Sequence, residues 1–334
     1  MKTRKIIIPI LTLGLMLIMA AAPGLALQEK SVIPQEVKDV LEAGITTREA
    51  RLDIPFSIIE CMHMPAQQNL YGYFFYQLKN SDIGYGQTLT APEGKLEGQT
   101  HAFFIFKKND GSFTKEIYAP INCQIDAEGY DPEAASILTT GYPLPPGDYL
   151  LAMAITTKDL KTIGTQYFEF SLPDPAAYAS ELGTSSIIFT SDISQMPAQE
   201  SKVEVHNGYM TYSVLKIVPN LKREFPSGGT LDSFFFVLGA QANQAGRFDI
   251  EINYEVKKGE ETVIQYSATK YQTNIISQPL PLEITTVTEE EKDGEKTEKK
   301  ETKDLEAGSY TFLIKIKDVT SGKTTERTVP FEVK

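Results

Sequence analysis

The chain has no tryptophan, only two cysteines and only three histidines. Without tryptophan the buried indole of true immunoglobulin domains is missing, and the absence also weighs against a dedicated carbohydrate binder. Two cysteines exclude the framework of a small cysteine-rich fold. Three histidines, with no H-E-x-x-H, no G-x-S-x-G and no glycine-rich phosphate loop, leave no nucleophile with its base. Carboxylate pairs discriminate nothing among 44 acidic residues. Beyond the N-terminus there is no apolar stretch long enough to span a bilayer.

The N-terminus is different. Lys2, Arg4 and Lys5 head an apolar run from Ile6 to Ala22, and Gly24-Leu25-Ala26 supplies a small-x-small end. That layout predicts a secretory signal peptide over residues 1–26, and so a periplasmic or extracellular protein with no membrane insertion after its removal. The remainder carries 29 basic against 44 acidic residues. Such a balance repels phosphate backbones, which excludes nucleic acid as a partner.

After a short helix and linker (27–50, helical over Pro34–Ala43 with Gly44 as its stop), the chain reads as β. Short alternating runs rich in Ile, Val, Phe, Tyr and Thr are separated by turns such as Asn109-Asp110-Gly111. Similar landmarks recur. "MPAQ" stands at Met64–Gln67 and at Met196–Gln199, and the same offset of 132 carries Phe103–Phe106 onto Phe235–Leu238. "LPPGDYLLAMAI" (Leu144–Ile155) parallels "LEAGSYTFLIKI" (Leu305–Ile316), sharing L-x-x-G-x-Y. The expectation is an all-β chain of two tandem immunoglobulin-like β-sandwich modules from one duplication: 51–173, a connector at 174–183, and 184–334. A run of eight acids and five lysines at 289–304 reads as a charged hairpin inserted in the second module.

"RLDIPFSII" (Arg51–Ile59), "LPPGDYLLAMAI" with "FEFSLPD" (Phe168–Asp174), and "LGTSSIIF" (Leu182–Phe189) resemble accessory β-sandwich modules of acidobacterial-type secreted proteins. In those proteins such modules accompany von Willebrand factor A-related or GWxTD domains. Neither the Asp-x-Ser-x-Ser motif of an A domain nor a Gly-Trp-x-Thr-Asp segment is present here. The resemblance implies a fold and no activity.

Three segments carry candidate chemistry. "CMHM" (Cys61–Met64) gathers soft ligands, but neighbours in a strand point to opposite faces, so Met62 and Met64 face away from His63. His101 and His206 add no ligand spacing. The offset of 132 maps Cys61 onto Ile193, which marks it as a core position. Cys123 alternates with Ile117, Ile121 and Ile125, so both thiols are expected in one core, as a disulfide or as two buried thiols. Tyr71, Tyr73 and Phe75 share one strand face, with Gly72, Phe74 and Tyr76 on the other, and Tyr71, Tyr73 and Tyr76 are candidate ligand contacts. Asp126, Glu128 and Asp131 lack the spacing of a calcium loop. No cofactor is implied. The expected function is non-catalytic binding of an envelope or extracellular protein; the alternatives are polysaccharide binding by strand 71–76 and a hydrolase with dispersed carboxylates.

Overall fold

The computed structural model describes residues 31–334 except 67–68, 200–201 and 293–294, with the side chains of 287–300 also outside the described set. The signal peptide expected at 1–26 lies outside the described residues. No described helix is long and apolar enough to cross a membrane.

Helix α1 (Gln35–Thr47) opens the described chain. It does not stop at Gly44, as the sequence suggested, but runs on to Thr47 and ends with Arg48 in the left-handed conformation. Gly44 is a point of close approach: a Cβ there would lie 1.9 Å from the Tyr167 hydroxyl. That hydroxyl donates to the Leu41 carbonyl at 3.0 Å and ties the helix to the sheet beneath it.

The first sandwich contains β1 (Phe56–Ala66), β2 (Asn69–Lys79), the short α2 (Asn80–Ile83), β3 (Lys95–Glu97), β4 (Thr100–Lys108) and β5 (Thr114–Ile121). It continues with β6 (Gln124–Asp126), β7 (Ala135–Leu144), β8 (Gly147–Thr156) and β9 (Ile163–Leu172). A 3₁₀ turn at Pro175–Ala179, capped by the Asp174 carboxylate, leads into the second sandwich. Its first part is β10 (Gly183–Thr184), β11 (Ile188–Gln195), β12 (Val205–His206), β13 (Met210–Tyr212), β14 (Leu215–Pro219) and β15 (Glu224–Phe225). Next come β16 (Thr230–Leu238), β17 (Ile250–Lys258), β18 (Glu261–Gln265), β19 (Thr269–Tyr271) and β20 (Ile275–Pro281). The charged segment forms a separate hairpin of β21 (Glu283–Lys292) and β22 (Glu295–Asp304), and β23 (Gly308–Asp318) and β24 (Thr324–Val333) close the chain.

Both sandwiches use one strand order. In the first, β1-β2-β7 faces β5-β4-β8-β9; in the second, β11-β16-β20 faces β18-β17-β23-β24. The shared L-x-x-G-x-Y has a structural reason. Tyr149 and Tyr310, each just inside its strand, donate to the carbonyl four residues upstream, Pro145 at 2.7 Å and Glu306 at 2.8 Å. The leucines that open the two motifs, Leu144 and Leu305, are buried, and Gly147 and Gly308 take positive φ values of 139° and 155° that other residues adopt with strain. This is the tyrosine corner of immunoglobulin-like sandwiches, made twice.

Two matches at offset 132 are not equivalent in space. Phe103–Phe106 lie in β4 of an outer sheet, whereas Phe235–Leu238 lie in β16, whose counterpart is β2. Cys61 packs on the core of the first sandwich while Ile193 packs on a different one. Aromatic strands resemble one another because all central strands bury both faces.

The sandwiches are not beads on a connector. Each has an internal core, centred on Phe74, Phe104 and Tyr149 in one and on Tyr254, Phe312 and Phe331 in the other. A third core joins them face to face: Met62, Met64, Tyr73 and Phe75 from β1 and β2 meet Ile188, Met210, Ile217, Phe234 and Phe236. A fourth lies between α1 and the outer face of β4 and β8, where Val37 and Leu41 pack on Phe103, Ile105 and Ala154. Residues 32–334 form a single compact unit, in which α1 covers one sheet of the first sandwich and the other sheet meets the second sandwich. One strand crosses the junction: β12, from the long β11–β13 connection, pairs with the edge of β7 through Val205↔Thr140 and His206↔Thr139.

Candidate functional site

Alternation along β2 divides its aromatics as the sequence indicated. Tyr71, Tyr73 and Phe75 belong to the junction core, and Phe74 and Tyr76 to the interior of the first sandwich. Tyr76 is fully buried, with its hydroxyl 3.1 Å from Thr140 Oγ1, and so cannot contact a ligand. Residues 71–76 are not an exposed platform, because the second sandwich covers one face and the first sandwich's own core the other. Tyr73 is only 3% exposed and donates to the Thr211 carbonyl at 2.5 Å across the junction. Tyr71 is half-buried and stacks on Tyr73 at 5.5 Å and 22°. Gly141 on β7 makes room for this pair, since a Cβ there would lie 2.7 Å from Tyr73 Cε1.

The Tyr71 end of the junction opens into a cleft of about 710 Å³, within the roughly 300–1,000 Å³ range of ligand pockets. Tyr71, Tyr142 and Pro143 come from the first sandwich; Lys202, Glu204 and Tyr212 come from the second. Nothing in the sequence pointed to Tyr142, Tyr212 or the 202–204 wall, because they converge only through the junction and the β12 crossover. Lys202 and Glu204 pair with each other at 3.2 Å, so the wall's charges are locally balanced. A shallower cleft of about 510 Å³ lies on the other side of β12, against Ala135 and Ile137 of β7.

The "CMHM" segment divides its side chains among separate surroundings. Met62 and Met64 enter the junction core, and Cys61 packs against the first sandwich's core. His63 bridges to the second sandwich: its N–H donates to Ser186 Oγ at 2.9 Å, Nδ1 lies 3.1 Å from the same oxygen, and the Ser186 N–H donates to the His63 carbonyl at 3.1 Å. Burial lowers the His63 pKa to about 4, with Arg327 adding to the effect and the Thr184 backbone opposing it. Among the described residues no group of three or more His, Cys, Asp or Glu side chains could hold a metal. The acids of 126–131 do not converge: Asp126 pairs with Lys95 at 2.7 Å, and Asp131 accepts from the Glu133 N–H at 2.9 Å.

The two cysteines are unbridged, which corrects the disulfide expected between Cys61 and Cys123. Cys61 lies on β1, at one edge of the β1-β2-β7-β12 sheet. The Cys123 thiol donates to the Val205 carbonyl at 3.2 Å, on β12 at the other edge. Three strand spacings, roughly 14 Å, separate those edges, far beyond the reach of a bridge. Facing one core is not the same as meeting in it. Burial pushes the Cys61 thiol far above its usual range and Cys123 up to about 12, so both stay protonated and unreactive. Reductant should therefore leave the melting temperature unchanged, and Ellman's reagent should count two thiols only after denaturation. A lowered melting temperature in reductant would reinstate the bridge.

No family model matches the chain, and no curated protein is similar to it. Among solved structures, the M60 catalytic domain with the CBM51-1 and CBM51-2 domains from Clostridium perfringens ZmpB aligns with 84% of this chain at 8% identity and a TM-score of 0.14. This chain covers 39% of that one, and similarity at this level carries no argument about fold or function.

Proposed function

We propose that this chain is an exported, non-catalytic binding protein of the cell envelope or exterior, and that it binds at the tyrosine-lined junction cleft. The observation that carries this reading is the junction core, which holds both cleft walls on one stack of sheets. A preformed cleft loses little entropy on binding. Glu204 is the one carboxylate among the cleft's described lining residues, and Lys202 neutralises it. Export rests on the N-terminal sequence. A protein partner remains the reading that the sequence favours, and a sugar is the one that the lining of the cleft favours.

A photo-crosslinking residue at the exposed Ser213, on the cleft rim, tests the reading against one at Tyr118, on the outer sheet. In envelope extract the first should yield a discrete adduct and the second should not. Equal labelling at both, or none at Ser213, would remove the cleft as the binding site.

A further inference from the structure

We infer that the junction cleft takes a short, neutral oligosaccharide; this rests on the reading that the cleft is the binding site. The argument starts from the edge of β7. A Cβ on Gly208 would lie 3.4 Å from the Ile137 carbonyl oxygen, so that carbonyl points to the β12 side of β7. Carbonyls two residues apart along a strand share a direction. Those of Gly141 and Pro143 therefore point to the same side, past the last β12 pair at Thr140 and into the cleft that both residues line.

Pro143 has no N–H, so this edge cannot supply the alternating donors that an added peptide strand needs. It resists strand addition as edge prolines generally do. What it offers instead is carbonyl acceptors beside the rings of Tyr71, Tyr142 and Tyr212. A sugar matches that combination: its hydroxyls donate to carbonyls, and its C–H faces lie on tyrosine rings. The balanced Lys202–Glu204 pair favours an uncharged ligand over a uronic acid or a sulfated glycan. Removing one aromatic contact from such a site costs about tenfold in affinity, or about 1.4 kcal/mol.

The test uses isothermal titration of the chain with neutral glucan, mannan and chitin tetrasaccharides, beside an array of random dodecapeptides. At least one tetrasaccharide should bind, Tyr71→Ala should weaken it about tenfold or more, and Tyr118→Ala should leave it unchanged. Glu204→Ala, on the exposed wall, gives a second measure that leaves the junction core untouched, and it should also weaken binding. No saccharide binding, with dodecapeptides that bind and are lost in Glu204→Ala, would overturn the sugar and keep the cleft. Binding of either kind that ignores both cleft substitutions, or no binding at all, would overturn both readings.

Discussion

Replacing Phe75 with alanine should destabilise the protein by about 3–5 kcal/mol, the usual cost of emptying a buried aromatic site, and the loss should register in both sandwiches. Phe75 is fully buried, and it lies in neither sandwich's own core but in the layer between them. Its removal leaves a cavity in the layer that it shares with Met62, Met64, Phe234 and Phe236. Because these residues belong to rigid sheets, little collapse can fill the space. Calorimetry should find one cooperative transition in the parent chain and a lower one in Phe75→Ala. Hydrogen exchange at the amides of β17, far from the substitution, should accelerate together with those of β4. If β17 kept its parent protection while β4 lost its own, the sandwiches would be independent and the junction core energetically idle.

Acidification should weaken the fold through His63. Its pKa is about 4 in the folded protein and 6.5 when unperturbed. The folded state therefore holds the ring neutral at a pH where the unfolded chain has already taken up a proton. Stability from this source is complete above about pH 6.5, falls as pH drops toward 4, and is flat below. Across that range the fold loses about 3 kcal/mol. Carboxylates in general also take up protons as pH falls toward 4, so the informative quantity is a difference. Denaturant unfolding of the parent and of His63→Gln, at pH 7.5 and at pH 4.5, should show a smaller acid loss in the variant. Parallel pH profiles would mean that the ring already meets water or a counter-charge.

Strand chemistry was readable from sequence because alternation on β2 depends only on neighbours: Tyr71, Tyr73 and Phe75 fell on one face as the period of two requires. The L-x-x-G-x-Y motif also located equivalent corners, since its hydrogen bond closes within five residues. What lay across the Tyr71 face was not readable. That depends on how two sandwiches stack, and apolar residues on an outer sheet face look the same whether they meet a partner sheet or a ligand. The cysteines failed for a related reason. Burial can be inferred from alternation, but the separation of two edges of a sheet cannot. Gly44 has the residue type of a helix stop, but its role is proximity to Tyr167, a residue distant in the chain.

The crossover of β12 onto β7 has a temporal consequence. Synthesis delivers the first sandwich well before the second, and N-terminal domains ordinarily fold as they emerge. Here the first sandwich lacks its last edge strand until Val205 and His206 appear, and its Met62, Met64, Tyr73 and Phe75 surface has no cover until Phe234 and Phe236 follow. During that interval the nascent chain presents an open sheet edge and a sticky apolar face. The chain must fold late or be escorted, and a truncation ending near the connector should be prone to aggregate although β1 to β9 are all present.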